Sequence, residues 1–210
     1  MFRIARTGRT ARTFRTRAAR TAAAALAGLA LAALTAPAPA VAKDSSAVSG
    51  PARVTGSARI LYGIVPNHEI WFTINAEGAP HSHPLPNLPT GLPTDARGTV
   101  HFSHRTDSGD VRESDATVDC LATGGPVATL TAVITKSNGM PVGQRIGLSI
   151  YDAHGHGKDR LGFSWGVGNA DVDKNGNAYQ PVVGTCMALA PFAPVIRGGY
   201  TVHSVDSVLA

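Results

Sequence analysis

Three stretches of alternating apolar and polar residues, at 128–135, 146–150 and 161–167, constrain the fold more than any other feature of the sequence. Successive side chains of a β-strand point to opposite faces of a sheet, so each stretch predicts a strand with one buried face. The third stretch places large apolar side chains on one face and only glycine and serine on the other. Together the three stretches predict an antiparallel β-meander.

The same alternation recurs on both sides of this meander. We expect further strands near residues 53–61, 68–75, 99–105, 116–121 and 199–205, and one more that carries Cys186. No window of about 11 residues after the N-terminal segment shows a helical period. The sequence therefore predicts an all-β fold, a single domain of about eight or nine antiparallel strands that form a β-barrel or a β-sandwich. We predict that the aromatic residues on the apolar faces belong to its core, namely Phe72, Phe102, Phe163 and Trp165.

Residues 1–42 have the three parts of a secretory signal peptide. Arginines come first, an apolar run rich in alanine follows at residues 21–35, and the small residues Ala40 and Ala42 flank Val41. We expect cleavage after Ala42 by the general secretory route because no Arg-Arg pair precedes the apolar run. The run is shorter than the roughly 20 strongly apolar residues of a membrane span. Retention of this segment as an N-terminal anchor is the alternative.

Cleavage at that position divides the chain into three parts. We expect the signal peptide at 1–42, a short disordered leader at 43–50 and the single all-β domain at 51–210. The mature chain contains no second long apolar segment, so we expect no stable membrane span after cleavage. The predicted location is extracellular.

The arginines of the signal segment account for the positive net charge of the chain. The sequence has 19 basic and 14 acidic residues, a formal net charge of +5, and seven of its arginines precede the first acidic residue, Asp44. Without those seven, 12 basic residues face 14 acidic ones, which is not the charge balance of a nucleic-acid-binding domain. We therefore expect no nucleic-acid partner and instead an extracellular ligand or an envelope component.

The chain has only two cysteines, Cys120 and Cys186, and both lie in the part that is predicted to be exported. In an oxidising compartment such a pair is most often a structural disulfide. Closing a loop of this length contributes about 4 kcal/mol in the chain-entropy model. A free redox pair is the alternative, but the C-x-x-C spacing that would support it is missing. We predict one disulfide, between Cys120 and Cys186.

Two His-x-His pairs are candidate ligands for a zinc or copper ion. His81 and His83 lie in a proline-rich loop, and His154 and His156 lie in the segment YDAHGHGKDR. Residues two apart in an extended segment point to the same side, so both imidazoles of a pair can reach one ion. A third ligand would come from one of the other histidines or carboxylates of the mature chain: His101, His104, Asp152 or Asp159. Solvated loop histidines are the alternative interpretation.

The segment from Asp171 to Asn177 resembles the first half of a calcium-binding loop. Asp171, Asp173 and Asn175 supply oxygen atoms at alternate positions, and a glycine that permits the turn follows at position 176. The position of the bidentate glutamate in an EF-hand is occupied by Val182, and no helix pattern flanks the segment. The alternatives are a calcium site of another type and a turn that is rich in Asp and Asn.

One catalytic pattern, G-x-S-x-G, occurs around Ser164. A serine esterase would use Ser164 as nucleophile, with Asp171 or Asp173 and His203 downstream. That motif requires a strand, a sharp turn and a helix, whereas the alternation here continues through Ser164 into a loop without helix signals. The alternative is a strand face of glycine and serine that lets another backbone segment approach closely.

Five short segments resemble a group of small secreted all-β proteins of actinobacterial type whose biochemistry is not assigned. They are Cys120, GFSWGVG at 162–168, Cys186, APFAP at 190–194 and GGYTV at 198–202, and the resemblance extends over residues 53–205. It implies a secreted β-domain and supplies no catalytic residues. We therefore expect a non-catalytic binding protein without a cofactor, with a zinc, copper or calcium module and a serine esterase as the alternatives.

Overall fold

The computed structural model describes residues 50–165 and 169–205, which form ten β-strands. The predicted signal peptide and residues 43–49 of the predicted leader lie outside the described residues. The strands are β1 (Arg53–Ile60), β2 (Glu69–Gly78), β3 (Ala96–Arg105), β4 (Val111–Gly124), β5 (Val127–Ser137), β6 (Arg145–Tyr151), β7 (Arg160–Phe163), β8 (Asp171–Val172), β9 (Ala178–Tyr179) and β10 (Ala193–His203).

Eight of these strands close into one antiparallel barrel, so the structure decides between the two architectures that the sequence left open. The order around the barrel is β1-β10-β7-β6-β5-β4-β3-β2. Strands β1 to β6 each pair with the next strand in the chain, and β10 returns to pair with β1 and β7. The strands β8 and β9 form a separate short hairpin. The all-β prediction is confirmed.

Inward side chains alternate with outward ones along each barrel strand, as the sequence pattern predicts. In β2, Ile70, Phe72, Ile74 and Ala76 are buried, and the residues between them are more exposed. The same alternation in the other strands fills the barrel with aliphatic side chains. The largest fully buried residues are Phe72, Ile60, Ile74, Leu130, Ile134, Ile146, Leu148, Ile150, Leu161, Val54, Val100 and Val118.

The seam between β7 and β10 is closed partly by side chains, because these strands pair over only two residue pairs. Beyond that point the Val202 N–H donates to the Asp152 carboxylate at 3.0 Å, and the Tyr200 N–H donates to the Asp159 carboxylate at 2.8 Å. Both aspartates belong to the loop between β6 and β7. These two carboxylates therefore take the place of the backbone carbonyl acceptors that a longer β7 would offer to β10.

Residues 181–192, which we name the strap, cross the outer surface of β6 and β7. A Cβ on Gly147 would overlap the Met187 carbonyl oxygen, and one on Gly162 would overlap the Ala190 carbonyl oxygen. Between these two contacts the Ser149 hydroxyl donates to the Leu189 carbonyl oxygen. The predicted close approach of another backbone to the glycine and serine face is confirmed, and the approaching segment is the strap.

The predicted disulfide is present and ties the strap to β4. Cys120 and Cys186 have a Cα–Cα distance of 5.4 Å and are 66 residues apart in the chain. A bulge at Asp119 shifts the register of β4 beside Cys120. The Asp119 carboxylate accepts hydrogen bonds from Thr131 at 2.6 Å and from Arg145 at 2.8 Å. The Thr131 hydroxyl in turn accepts the Cys186 N–H at 3.2 Å.

Two strand predictions are wrong. Cys186 lies in a turn with φ of 56°, not in a strand, because the strap crosses the face of the sheet rather than extending its edge. The strand β7 ends at Phe163, short of the predicted residue 167. At the next residue the Ser164 N–H still donates to the Gly147 carbonyl oxygen at 3.0 Å, but the Ser164 hydroxyl replaces its carbonyl as the acceptor of the Gly147 N–H at 2.6 Å, so the regular ladder stops. Val167 itself lies outside the described residues.

We predict that Gly147→Ala lowers the free energy of unfolding by about 1–3 kcal/mol, because the new methyl group displaces the strap from β6. The matched control is Gly124→Ala in β4, where a Cβ would meet no atom within 4 Å. We expect the control to change the free energy of unfolding by less than about 1 kcal/mol. Equilibrium unfolding in urea measures both variants. Equal effects of the two substitutions would contradict close packing of the strap.

Candidate functional site

All four phenylalanines of the described residues gather at one end of the barrel, which we name the aromatic end. It is the end at which β1, β3, β5 and β7 finish. The cluster consists of Tyr62, Phe72, Phe102, Phe163, Trp165 and Phe192. The other two of the six phenylalanines, Phe2 and Phe14, belong to the predicted signal peptide. Six of the ten Phe, Tyr and Trp rings of the described residues therefore lie in one cluster.

The rings of this cluster contact one another and form a continuous surface. The centroid of Trp165 lies 4.8 Å from that of Phe163 and 4.9 Å from that of Phe102. Phe72 stacks on Phe102 with a centroid distance of 5.7 Å, and Tyr62 meets Phe163 edge to face at 5.2 Å. Offset and edge-to-face arrangements are the favourable ones for aromatic pairs. Rings held in this way cannot readily collapse into the space beside them.

A cavity of about 410 Å³ opens beside these rings at the aromatic end. This volume lies within the range of roughly 300–1,000 Å³ that is typical of small-molecule sites. Its floor is buried, whereas Tyr62, Met140 and Trp165 on its walls are partly exposed. The cavity is lined by Tyr62, Ile70, Phe72, Phe102, His104, Arg112, Ser114, Gly139, Met140, Pro141, Gln144, Phe163, Trp165 and Gln180.

Among the described residues, the polar groups that line the cavity include one permanent positive charge and no carboxylate. Arg112 lies opposite His104 in the pairing of β3 with β4, and both residues line the cavity. Ser114 is also buried there, and its hydroxyl is 2.8 Å from that of Ser137. Because no aspartate or glutamate in the described part of the chain lines the cavity, these walls do not neutralise the charge of Arg112.

A pair of histidines lies at the edge of the cavity. The His68 Nδ1 and His104 Nε2 atoms are 2.7 Å apart, so one nitrogen donates a hydrogen bond and the other accepts it. The second nitrogen of His68, Nε2, is 3.7 Å from the Asp107 carboxylate. Burial of the imidazole lowers the pKa of His104, and the charges of His68 and Arg112 lower it further. His104 is therefore neutral at neutral pH.

We predict that the protein loses stability as the pH falls below about 6.5, the ordinary pKa of histidine. Because the pKa of His104 is lower in the folded chain than in the unfolded one, the unfolded chain binds this proton more readily. The contribution of His104 is complete above the ordinary histidine pKa of about 6.5 and is lost below it. His104→Gln should reduce the fall in melting temperature by a few degrees, and His156→Gln should not. An unchanged pH profile in His104→Gln would contradict this account.

The first His-x-His pair lies in the loop between β2 and β3. The His81 Nδ1 atom is 3.0 Å from the Thr90 carbonyl oxygen, and the His83 Nδ1 atom is 3.9 Å from the Asp95 carboxylate. Asp95 is buried and accepts the backbone N–H groups of His83 and Leu92 at 2.8 Å and 3.0 Å. Its carboxylate therefore organises the proline-rich loop.

The second pair lies in the loop between β6 and β7. The His154 Nδ1 atom is 3.2 Å from the Asp152 carboxylate, and the ring of His156 is exposed. Asp152 and Asp159, two of the proposed third ligands, already accept backbone N–H groups of β10. A third, His101, contacts Asp115 at 2.7 Å.

A metal site is not assembled by these histidines and carboxylates in the part of the chain that the structure describes. No group of three or more histidine, cysteine, aspartate or glutamate side chains lies close enough there to hold an ion. His104 is the remaining candidate for the third ligand, and it lies at the aromatic end, beside His68. Zinc or copper binding stays a prediction of the sequence.

The predicted calcium loop forms the turn between β8 and β9. The Asp173 carboxylate accepts the N–H groups of Asn175 at 2.8 Å and Asn177 at 2.9 Å. These hydrogen bonds, with that of Asn177 first, lower the pKa of Asp173. Asp171 accepts a hydrogen bond from the Tyr179 hydroxyl at 3.3 Å. These hydrogen bonds organise a turn rich in Asp and Asn, and calcium binding stays a prediction of the sequence.

The residues of the hypothetical esterase are not brought together. Ser164 is 4% exposed, and its hydroxyl is occupied by the Gly147 N–H. His203 pairs with Arg53 at the opposite end of the barrel, and Asp171 belongs to the separate hairpin. Of the rings at the aromatic end, the sequence predicts Phe72, Phe102, Phe163 and Trp165, and these only as core residues. The sequence does show that these residues lie near one end of their predicted strands. Only the pairing register of the strands shows that those ends meet at the same end of the barrel.

Comparisons with known proteins add no relative, since no family model, curated protein or solved structure matches the sequence. Within the described residues we also find no helix of the length and apolarity needed to cross a membrane.

Proposed function

We propose that the protein is an exported, non-catalytic binding protein whose barrel holds a small apolar molecule in the cavity at the aromatic end. The observation that carries this proposal is the cavity itself, which is lined by stacked rings and open to solvent at the end of a closed barrel. Eight-stranded barrels have an interior that can hold one small ligand. The large rings favour flat, ring-containing ligands because such molecules can stack on them.

Export is the second part of the proposal, and separate features support it. Disulfides persist in oxidising compartments, and the one between Cys120 and Cys186 is compatible with an extracellular location. The N-terminal segment has the pattern of a secretory signal peptide. The resemblance of residues 53–205 to small secreted all-β proteins of actinobacterial type leads to the same proposal.

The neutral dye N-phenyl-1-naphthylamine is a suitable probe because it is flat, apolar and more fluorescent in apolar surroundings. We predict saturable binding of one dye molecule per protein with a Kd of roughly 10–100 µM, from about 0.4 kcal/mol for each non-hydrogen atom. Fluorescence titration measures the Kd and the stoichiometry.

Two methionines provide matched variants for this titration. Met140 lines the cavity, whereas Met187 belongs to the strap and is 61% exposed. Met140→Ala removes an apolar contact with the dye and should raise its Kd about three- to tenfold, while Met187→Ala should leave it unchanged. Binding that does not saturate, or that responds equally to the two substitutions, would refute the cavity as the binding site.

A further inference from the structure

We propose that the ligand of this cavity carries an anionic group, such as a carboxylate or a sulfonate, which pairs with Arg112 at the rim while an aromatic body lies on the rings. This inference rests on the proposed function and specifies the chemical class of the ligand. It follows from the charges around the cavity, from the partners of the arginines and from the packing of the Arg112 side chain.

Arg112 is one of two arginines without a partner among the eight in the described part of the chain. Five of the others pair with carboxylates or donate to backbone carbonyl groups, and Arg197 lies over the ring of Trp71. The five are Arg53, Arg59, Arg97, Arg145 and Arg160. Arg105 is the second arginine without a partner, and it does not line the cavity. Arg112 therefore presents an unpaired guanidinium group at the cavity.

The surroundings of Arg112 favour a ligand anion over a protein carboxylate. The nearest recess along the rim includes Asp110, but no carboxylate of the described residues lies within 4.0 Å of the guanidinium nitrogens. The Asp110 carboxylate instead accepts a hydrogen bond from Ser108 at 2.9 Å. The neighbouring His104, whose Nε2 atom is hydrogen bonded to His68, also lines the cavity and adds no carboxylate to it.

The stem of Arg112 packs on one side against Gly139, in the loop between β5 and β6. Its Cβ, Cγ and Cδ atoms lie directly beneath Gly139, where even a methyl group would be crowded. A guanidinium whose stem is packed on one side loses less freedom on binding than a free one, and its planar donors match the geometry of a carboxylate. An apolar, ring-lined cavity with one cation at its rim is complementary to an amphipathic aromatic anion.

A pair of dyes tests this inference. 8-Anilinonaphthalene-1-sulfonate has the same rings as N-phenyl-1-naphthylamine and carries one sulfonate in addition. We expect Arg112→Met to raise the Kd of the sulfonated dye about three- to tenfold and to change that of the neutral dye less than about twofold. Arg112→Lys should retain part of the affinity for the sulfonated dye, because the positive charge remains.

The matched control is Arg105→Met, which makes the same change in net charge at an arginine that also lacks a partner but lies outside the cavity lining. It should leave the Kd of both dyes unchanged. If Arg112→Met weakens the two dyes equally, or Arg105→Met weakens the sulfonated dye as much as Arg112→Met does, the anionic group is refuted and the apolar site stands. If neither dye binds, the proposed function fails, and this inference fails with it.

Discussion

Closure of the barrel depends on hydrogen-bond acceptors for the part of β10 that extends beyond Arg160, the first residue of its neighbour β7. Each buried N–H group that lacks an acceptor costs about 1–3 kcal/mol, and β7 pairs with β10 over only two residue pairs. Asp152 and Asp159 supply the missing acceptors from a loop, which allows β7 to be short. The two aspartates of the segment YDAHGHGKD thus have a structural role in closing the barrel.

The closed barrel contains side chains of unequal size at its two ends, and this asymmetry produces the candidate site. Near the opposite end the inward positions are occupied by smaller residues such as Val54, Ala76 and Ala128. At the aromatic end, six rings contact one another and leave a cavity beside them. Aliphatic chains can rearrange to fill such a space, whereas stacked rings are rigid and flat. The size, shape and charge of the cavity at this end are the basis for the proposed ligand, an aromatic molecule with an anionic group.

The strand faces could be predicted from the sequence because the direction of a side chain along a strand is a local property. The end of β7 and the turn at Cys186 could not, since both follow from contacts with distant residues: the Ser164 hydroxyl bonds to Gly147, and the strap crosses β6. The site was missed for the same reason. Phe72 and Phe102 are typical core residues in sequence, and only the strand register places them beside Phe163 at an open end.

The most direct test of a ligand cavity at the aromatic end uses the methyl groups of methionine. The protein contains three methionines, of which Met140 lines the cavity and Met187 lies on the strap outside the barrel. In protein labelled with ¹³C at the methionine methyl groups, saturating N-phenyl-1-naphthylamine should shift the Met140 signal and give intermolecular nuclear Overhauser effects to it. The Met187 signal should stay in place. Contacts from the dye to Met187, or to neither of these methyl groups, would contradict the account.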